Sequence, residues 1–333
     1  MTPAHCVPGL RQRGAALLLA MTLLALVASL AAGMVWLQWR AVQVEAAERS
    51  RSQSAWILAG ALDWTRLILR EDARTSAVDH AGEPWATPLA EARLSSFLAA
   101  DREATADSQV EAFLAGAITD AQARYNLRNL FADDGRPVPQ ELLTLNRLCA
   151  AAGLREDEAA RIASGLADAW RARTASPTPG SASAPGAANG AAAPDETTQV
   201  LPVQRFEHLA WLGLEPAVLQ ALRPLVDVLP TRTPVNLNTA SREVLAGVLA
   251  VDAGTAERLV QTRQRQAFER LEQAQAMLPQ GSTLEGSRVS VGSQYFHVSG
   301  RLRLEDRVLE ETSLVRRRGL AEVVAVQRSR QNL

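Results

Sequence analysis

A chain of 333 residues, 47% hydrophobic and 21% charged, can hold one large domain or two ordinary ones. Its 35 basic residues, all of them Arg, stand against 36 acidic ones for a net charge of -1, which argues against a chain devoted to coating nucleic acid or an anionic membrane surface. Neither the two cysteines, Cys6 and Cys149, nor the scattered His5, His80, His208 and His297 fall at metal-ligand spacing. No nucleophile elbow, P-loop or dinucleotide fingerprint is present, so no enzymatic chemistry is expected.

The first fourteen residues end in Arg11-Gln12-Arg13-Gly14. From Ala15 to Trp39 about 25 residues pass without a charge, roughly 37 Å of helix against a ~30 Å hydrocarbon core. Arg11 and Arg13 place the amino terminus in the cytoplasm by the positive-inside rule, Trp36 and Trp39 suit the far interface, and Arg40 closes the span. A secretory signal peptide would have a shorter apolar core followed by a small-residue cleavage site, so residues 15–39 read as a retained membrane helix. Helical character continues to about residue 72, with no proline before Pro84. Ile57, Ala61, Trp64 and Ile68 recur at helical spacing and are expected to pack on the chain's own sheet.

Val110 to Tyr125 reads as a hairpin with Asp120 at its turn and Phe113, Ala115 and Ala117 alternating. An internal echo follows. The string Asn126-Leu127-Arg128-Asn129-Leu130 is matched about 110 residues later by Asn236-Leu237-Asn238-Thr239-Ala240, and each copy leads into a helix, a small-residue turn and a second helix. Those second helices are expected over Glu156–Trp170 and Ala256–Arg265, with Asn and Thr locking the helix starts. Asp133-Asp134-Gly135 reads as an ordinary turn. Between the copies, residues 176–194 are almost entirely Ala, Pro, Gly and Ser and are expected to form a mobile loop. Strands return from about Arg288, interrupted at Gly300, Asp306 and Gly319, and Arg316-Arg317-Arg318 reads as a solvated strand edge.

A basic leader ending in Gly, followed at once by a membrane helix that becomes amphipathic, resembles the prepilin class. The Asn-Leu-Asn-Thr-Ala string and the paired helical units resemble the K family of type II secretion, a class of minor pseudopilins. The resemblance implies an α+β fold in which a long amino-terminal helix packs on an antiparallel sheet interrupted by an all-helical insertion of two helix-hairpin-helix or SAM-like units. In this numbering the expected parts are a leader over 1–14, a membrane helix over 15–39, a first part of the head over 40–127, an insertion over 128–283 and closing strands over 284–333. Prepilin peptidase would cut between Gly14 and Ala15 and methylate the new amine. Most pilins carry Glu at the fifth mature position, here Leu19, and its absence resembles the pseudopilin placed at the tip. The resemblance further implies an inner-membrane protein with a periplasmic head that starts pseudopilus assembly for export of folded proteins. Its partners would be the minor pseudopilins I, J and H and the major pseudopilin, G.

K-family pseudopilins that bind calcium do so through an acidic loop. The corresponding stretch here offers Asp195 and Glu196 with Asp168 upstream, short of the six to eight oxygens calcium takes, so no cofactor is expected. Because helix-hairpin-helix units also occur in DNA-uptake proteins, a membrane-anchored DNA receptor is the alternative. Asp252 in the hairpin would repel phosphate, and Arg258, Arg263 and Arg265 are offset by Glu257 and Glu269, so nucleic acid is not an expected partner.

Overall fold

The computed structural model describes residues 13–94, 112–175, 202–304, 307–319 and 322–332. The chain divides into two compact units, residues 1–59 and Gly60–Leu333. Helix α1 (Arg13–Thr75) begins in the first and ends in the second. Its Ala- and Leu-rich sequence favours helix throughout. It stops where Ser76 Oγ accepts from Val78 N (3.0 Å) and donates to Val78 O (2.9 Å), a local turn that competes with another helical hydrogen bond.

In the second unit a five-stranded antiparallel sheet has the order β1-β2-β7-β8-β9. The strands are β1 (Leu89–Arg93), β2 (Ala112–Asp120), β7 (Tyr295–Leu304), β8 (Arg307–Arg318) and β9 (Glu322–Asn332). One face packs against the last turns of α1: Leu62 and Leu69 meet Phe296, Val298, Val315 and Val323, with Trp85 edge-on to Phe296 at 5.2 Å. The other face carries Tyr295, His297 and Leu314, because side chains alternate along a strand.

Between β2 and β7 the chain builds a helical region. Two short parallel pairs frame it: β3 (Tyr125–Asn126) with β4 (Val226–Asp227), and β5 (Val235–Asn236) with β6 (Val289–Ser290). After β3 come α2 (Pro139–Ala151), α3 (Glu156–Ala175) and α4 (Pro216–Leu222). After β5 come α5 (Arg242–Leu249), α6 (Ala253–Arg265) and α7 (Leu271–Gln275). Both copies of the Asn string therefore start on the second residue of a two-residue strand. One core unites them, including Leu127, Leu130, Leu148, Ile162, Val244 and Leu259. α2 and α5 touch at Gly247, where a Cβ would lie 2.7 Å from Leu148 Cδ2.

Four expectations differ from what is found. Residues 112–120 form one strand inside the sheet, and Asp120 caps the 3-10 turn after it by accepting from Gln122 N, so there is no hairpin there. On α1 the buried row is Leu62, Thr65, Leu69 and Ala73, while Trp64 is 55% exposed; the apolar stripe read from sequence lies one residue off the core-facing row. Strand β7 runs through Gly300 unbroken, because the ladder continues to Gly116 on one side and Glu311 on the other. The Arg triplet lies on β8, an interior strand, and Arg317 is buried rather than solvated. Residues 176–194 lie outside the described residues.

Candidate assembly site: the amino-terminal helix and a buried polar joint

Gly14 and Ala15 stand in the first turn of α1, and Leu19 follows one turn later, 64% exposed. Every large apolar side chain from Leu17 to Val44 is likewise more than half exposed. This part of α1 is long and apolar enough to cross a membrane.

The second unit holds its helical region to the sheet through a buried polar joint centred on Asp120. Its Oδ2 accepts from Asn236 Nδ2 (3.0 Å), Thr239 Oγ1 (2.6 Å) and Ser293 Oγ (2.7 Å), and its Oδ1 accepts from Gln122 N (2.8 Å). Burial pushes this carboxyl above its ordinary pKa, against the opposing pull of those donors. Asn236, fully buried, also donates to Asp79 O and Ser293 Oγ, while its Oδ1 accepts from Asn238 N. Gln122 adds a second tie: Nε2 donates to Pro234 O, and Oε1 accepts from Gln294 N.

The joint explains the Asn-Leu-Asn-Thr-Ala string residue by residue. Asn236 and Thr239 reach Asp120 at the end of β2, and Leu237 and Ala240 enter the helical core. Asn238 pairs with both backbone groups of Phe268, donating to O (2.9 Å) and accepting from N (2.8 Å). In the first copy Asn129 does the same with Thr233, at 2.8 and 3.0 Å. Each of these side chains supplies backbone partners that no strand provides, which a buried loop requires.

Two ion-pair clusters brace the joint. On the face of β7 toward the helical region, His297 Nε2 lies 2.6 Å from Asp227 Oδ2, and Arg124 reaches the same oxygen at 2.9 Å. Burial raises the pKa of Asp227, but the hydrogen bond and charge of His297 and the charge of Arg124 outweigh it and hold the carboxyl below its ordinary value. At the end of α1, Arg317 on β8 bonds Asp72 at 2.9 Å and also Asp79, and its guanidinium lies 5.1 Å from the Phe296 ring centre. Burial, followed by the Glu83 and Asp79 carboxylates, pushes Asp72 up to about 6 in spite of Arg317.

The structure does not assemble the acidic residues considered for calcium. Asp168 is exposed on α3 and paired with Arg171, and Asp195 and Glu196 lie outside the described residues. At the hairpin between α5 and α6, Asp252 caps α6 by accepting from Thr255 N (3.0 Å), which occupies the amide a phosphate would need. Arg258 bonds Thr255 Oγ1, and Arg263 bonds Leu237 O, its pKa pushed down to about 10 by burial. Two of the three arginines of a DNA-binding reading are thus structural. The residues that sequence reasoning missed are Asp79, Asp120, Ser293 and Arg317. The Asn strings were the only signal pointing to this joint.

Two family models, both described as type II secretion system protein K, match residues 123–231 and 235–292. They begin close to β3 and β5, at the two Asn strings. The type II secretion system protein K of Pseudomonas aeruginosa is 30% identical, over 89% of this chain and 86% of its own. That of Pectobacterium carotovorum subsp. carotovorum is 29% identical over 96% of both chains. A chain in the crystal structure of the GspK-GspI-GspJ complex of enterotoxigenic Escherichia coli shares the fold, with a TM-score of 0.58 and 18% identity over 86% of this chain and 98% of that one. With the long apolar helix, the antiparallel sheet and the doubled Asn-string region all in place, this chain belongs to the type II secretion system protein K family.

Proposed function

We propose that this protein is a minor pseudopilin that occupies the tip of the type II secretion pseudopilus, starts its assembly and so supports export of folded proteins across the outer membrane. The observation that carries the reading is Leu19. In pilin-like proteins a carboxylate at this turn of the helix answers the amine of the neighbour above, and a leucine there leaves nothing for such a neighbour to meet. The helical region between β2 and β7 adds bulk that a repeating stack would have to accommodate at every position.

Under this reading prepilin peptidase cuts between Gly14 and Ala15. The helix over 15–39 then stays in the inner membrane, amino terminus inward, with the head in the periplasm. The similar Escherichia coli structure is of a GspK-GspI-GspJ complex, which supports the minor pseudopilins I and J as direct partners. The same reading puts H below them and makes the major pseudopilin, G, the shaft. No catalysis, cofactor at Asp168, or nucleic acid belongs to this role.

Mass spectrometry of the protein extracted from membranes tests the processing step. The expected amino-terminal peptide begins with methylated Ala15, and Gly14→Leu should leave an uncut precursor that still inserts. A mature chain beginning at Met1, or beyond Trp39, would sink the pseudopilin reading. Capture of tagged protein from membranes should also recover the I and J pseudopilins.

A further inference from the structure

We propose that Asp72, Asp79 and Glu83 form a binding site for a hard divalent cation of calcium's size, at the end of α1 and apart from the Asp168 region. Each residue offers one carboxylate oxygen, and the three oxygens lie within 4.8 Å of one another. Asp79 is fully buried and Glu83 is 8% exposed.

The other contacts of the cluster use some of its carboxylate oxygens and leave Asp79 Oδ1 without a partner among the described residues. Arg317 bonds Asp72 Oδ2 and Asp79 Oδ2, and Ser293 N donates to that same Asp79 oxygen. Glu83 Oε2 accepts from His80 N (2.9 Å) and Trp85 Nε1 (2.7 Å). Asp79 Oδ1 is buried and has no hydrogen-bond partner among the described residues. A buried carboxylate oxygen with no protein donor among the described residues is the feature that an acidic cluster alone would lack.

Charge points the same way. Three carboxylates face one guanidinium and the His80 ring, whose Nε2 lies 4.0 Å from Glu83 Oε1, so with all three ionised and the imidazole neutral the cluster holds two uncompensated negative charges in a mostly buried setting. A divalent ion would cancel both. Calcium takes oxygens at about 2.3–2.6 Å, which puts opposite ligands about 4.6–5.2 Å apart and adjacent ones closer, so a set within 4.8 Å suits it. Magnesium, at about 2.0–2.1 Å and with strict octahedral demands, would require a tighter set and keeps more of its own water. The all-oxygen donor set disfavours softer transition metals. A bound ion would tie the end of α1, through Asp72, to the segment leading into β1, through Asp79 and Glu83. Since Asn236 donates to Asp79 O, it would also stiffen the polar joint.

Terbium, a calcium surrogate excited through indole, provides the probe, because Trp85 already touches a ligand residue. Full-length protein in detergent, stripped with EDTA, should show tryptophan-sensitised terbium emission that calcium displaces and magnesium at equal concentration does not. Calcium should also raise its melting temperature. Glu83→Gln keeps an acceptor for Trp85 and leaves the Arg317 pairs intact, yet should weaken calcium competition by at least the ~10-fold that loss of a supporting group costs a metal site. Asp72→Asn should do the same and decides the matter if Glu83→Gln does not fold, whereas Asp168→Asn should change nothing. The proposal is overturned if calcium neither displaces terbium nor shifts the melting temperature, if both effects survive Glu83→Gln and Asp72→Asn, or if Asp168→Asn abolishes them.

Discussion

Asn236→Ala removes the hub of the polar joint. The two N–H groups of the amide are shared among Asp79 O, Asp120 Oδ2 and Ser293 Oγ, each at 3.0 Å, and its carbonyl accepts from Asn238 N at 2.9 Å. A neutral hydrogen bond contributes about 0.5–1.5 kcal/mol net, one to a charged group about 1.5–3, and a buried donor left unpaired costs about 1–3. Asp120 retains Thr239 and Ser293, so the loss there is partial, whereas Asn238 N loses the only side-chain acceptor it has among the described residues. The sum is about 3–5 kcal/mol. For a chain of this size about 1 kcal/mol shifts the melting temperature by about 2–4 °C, so a fall of roughly 10 °C is expected. The assay is thermal unfolding of the detergent-solubilised full chain, paired with hydrogen exchange. Faster exchange should concentrate at residues 77–79, 236–240 and 290–295, the segments the joint ties together. A cost below about 1 kcal/mol, or exchange that rises only within α5 and α6, would refute the idea that this amide couples the helical region to the sheet.

Three other outcomes follow from the same structure. Gly292→Ala should destabilise by about 1–3 kcal/mol or more in the same melting assay, because its Cβ would lie 2.6 Å from the backbone oxygen of Ala77, which cannot swing aside. Asp227→Asn should cost about 3 kcal/mol at neutral pH, since it leaves Arg124 and His297 facing a neutral group. The Asp227 pKa is lower in the folded chain, so its contribution is present above the ordinary value of 3.8 and lost as pH falls through the folded value; the gap between wild type and variant, followed by urea unfolding, should close below about pH 4. Leu19→Glu puts a carboxylate with no partner amine into the apolar stretch, at about 2.5–3.5 kcal/mol for a charge near the centre of the bilayer and less near its edge, and should reduce secretion of a reporter substrate without abolishing cleavage at Gly14.

The parts of this fold that were legible in the sequence are those governed by local rules. The charge-free run from Ala15 needed only a count of residues against bilayer thickness, and apolar spacing put the second helices of both copies, Glu156–Trp170 and Ala256–Arg265, inside α3 and α6, although Ser241 and Asp252 rather than the Asn and Thr of the strings cap α5 and α6. What failed depended on non-local partners. Asp120 does cap a turn, through Gln122 N, yet its other three donors come from residues 236, 239 and 293, and nothing near position 120 records them. The Arg316–Arg318 triplet looks solvated in isolation; it is interior because β7 and β9 flank β8, and Arg317 can be buried because Asp72 and Asp79, more than 200 residues earlier, pair with it. Trp64 was drawn inward by hydrophobicity alone. The sheet instead accepts the neighbouring row of Leu62 and Leu69, and a helix offers two adjacent apolar rows that periodicity cannot rank. The Asn strings were the exception, because their repetition signalled a structural demand before its partners were visible.

The central claim is that the protein sits once, at one end of the filament. Pseudopili assembled in cells carrying an epitope in the head, sheared and labelled with gold, test it directly. A single cluster of gold at one end of each filament is the predicted result. Gold distributed along the filament sides would contradict it, whatever the mature amino terminus proves to be.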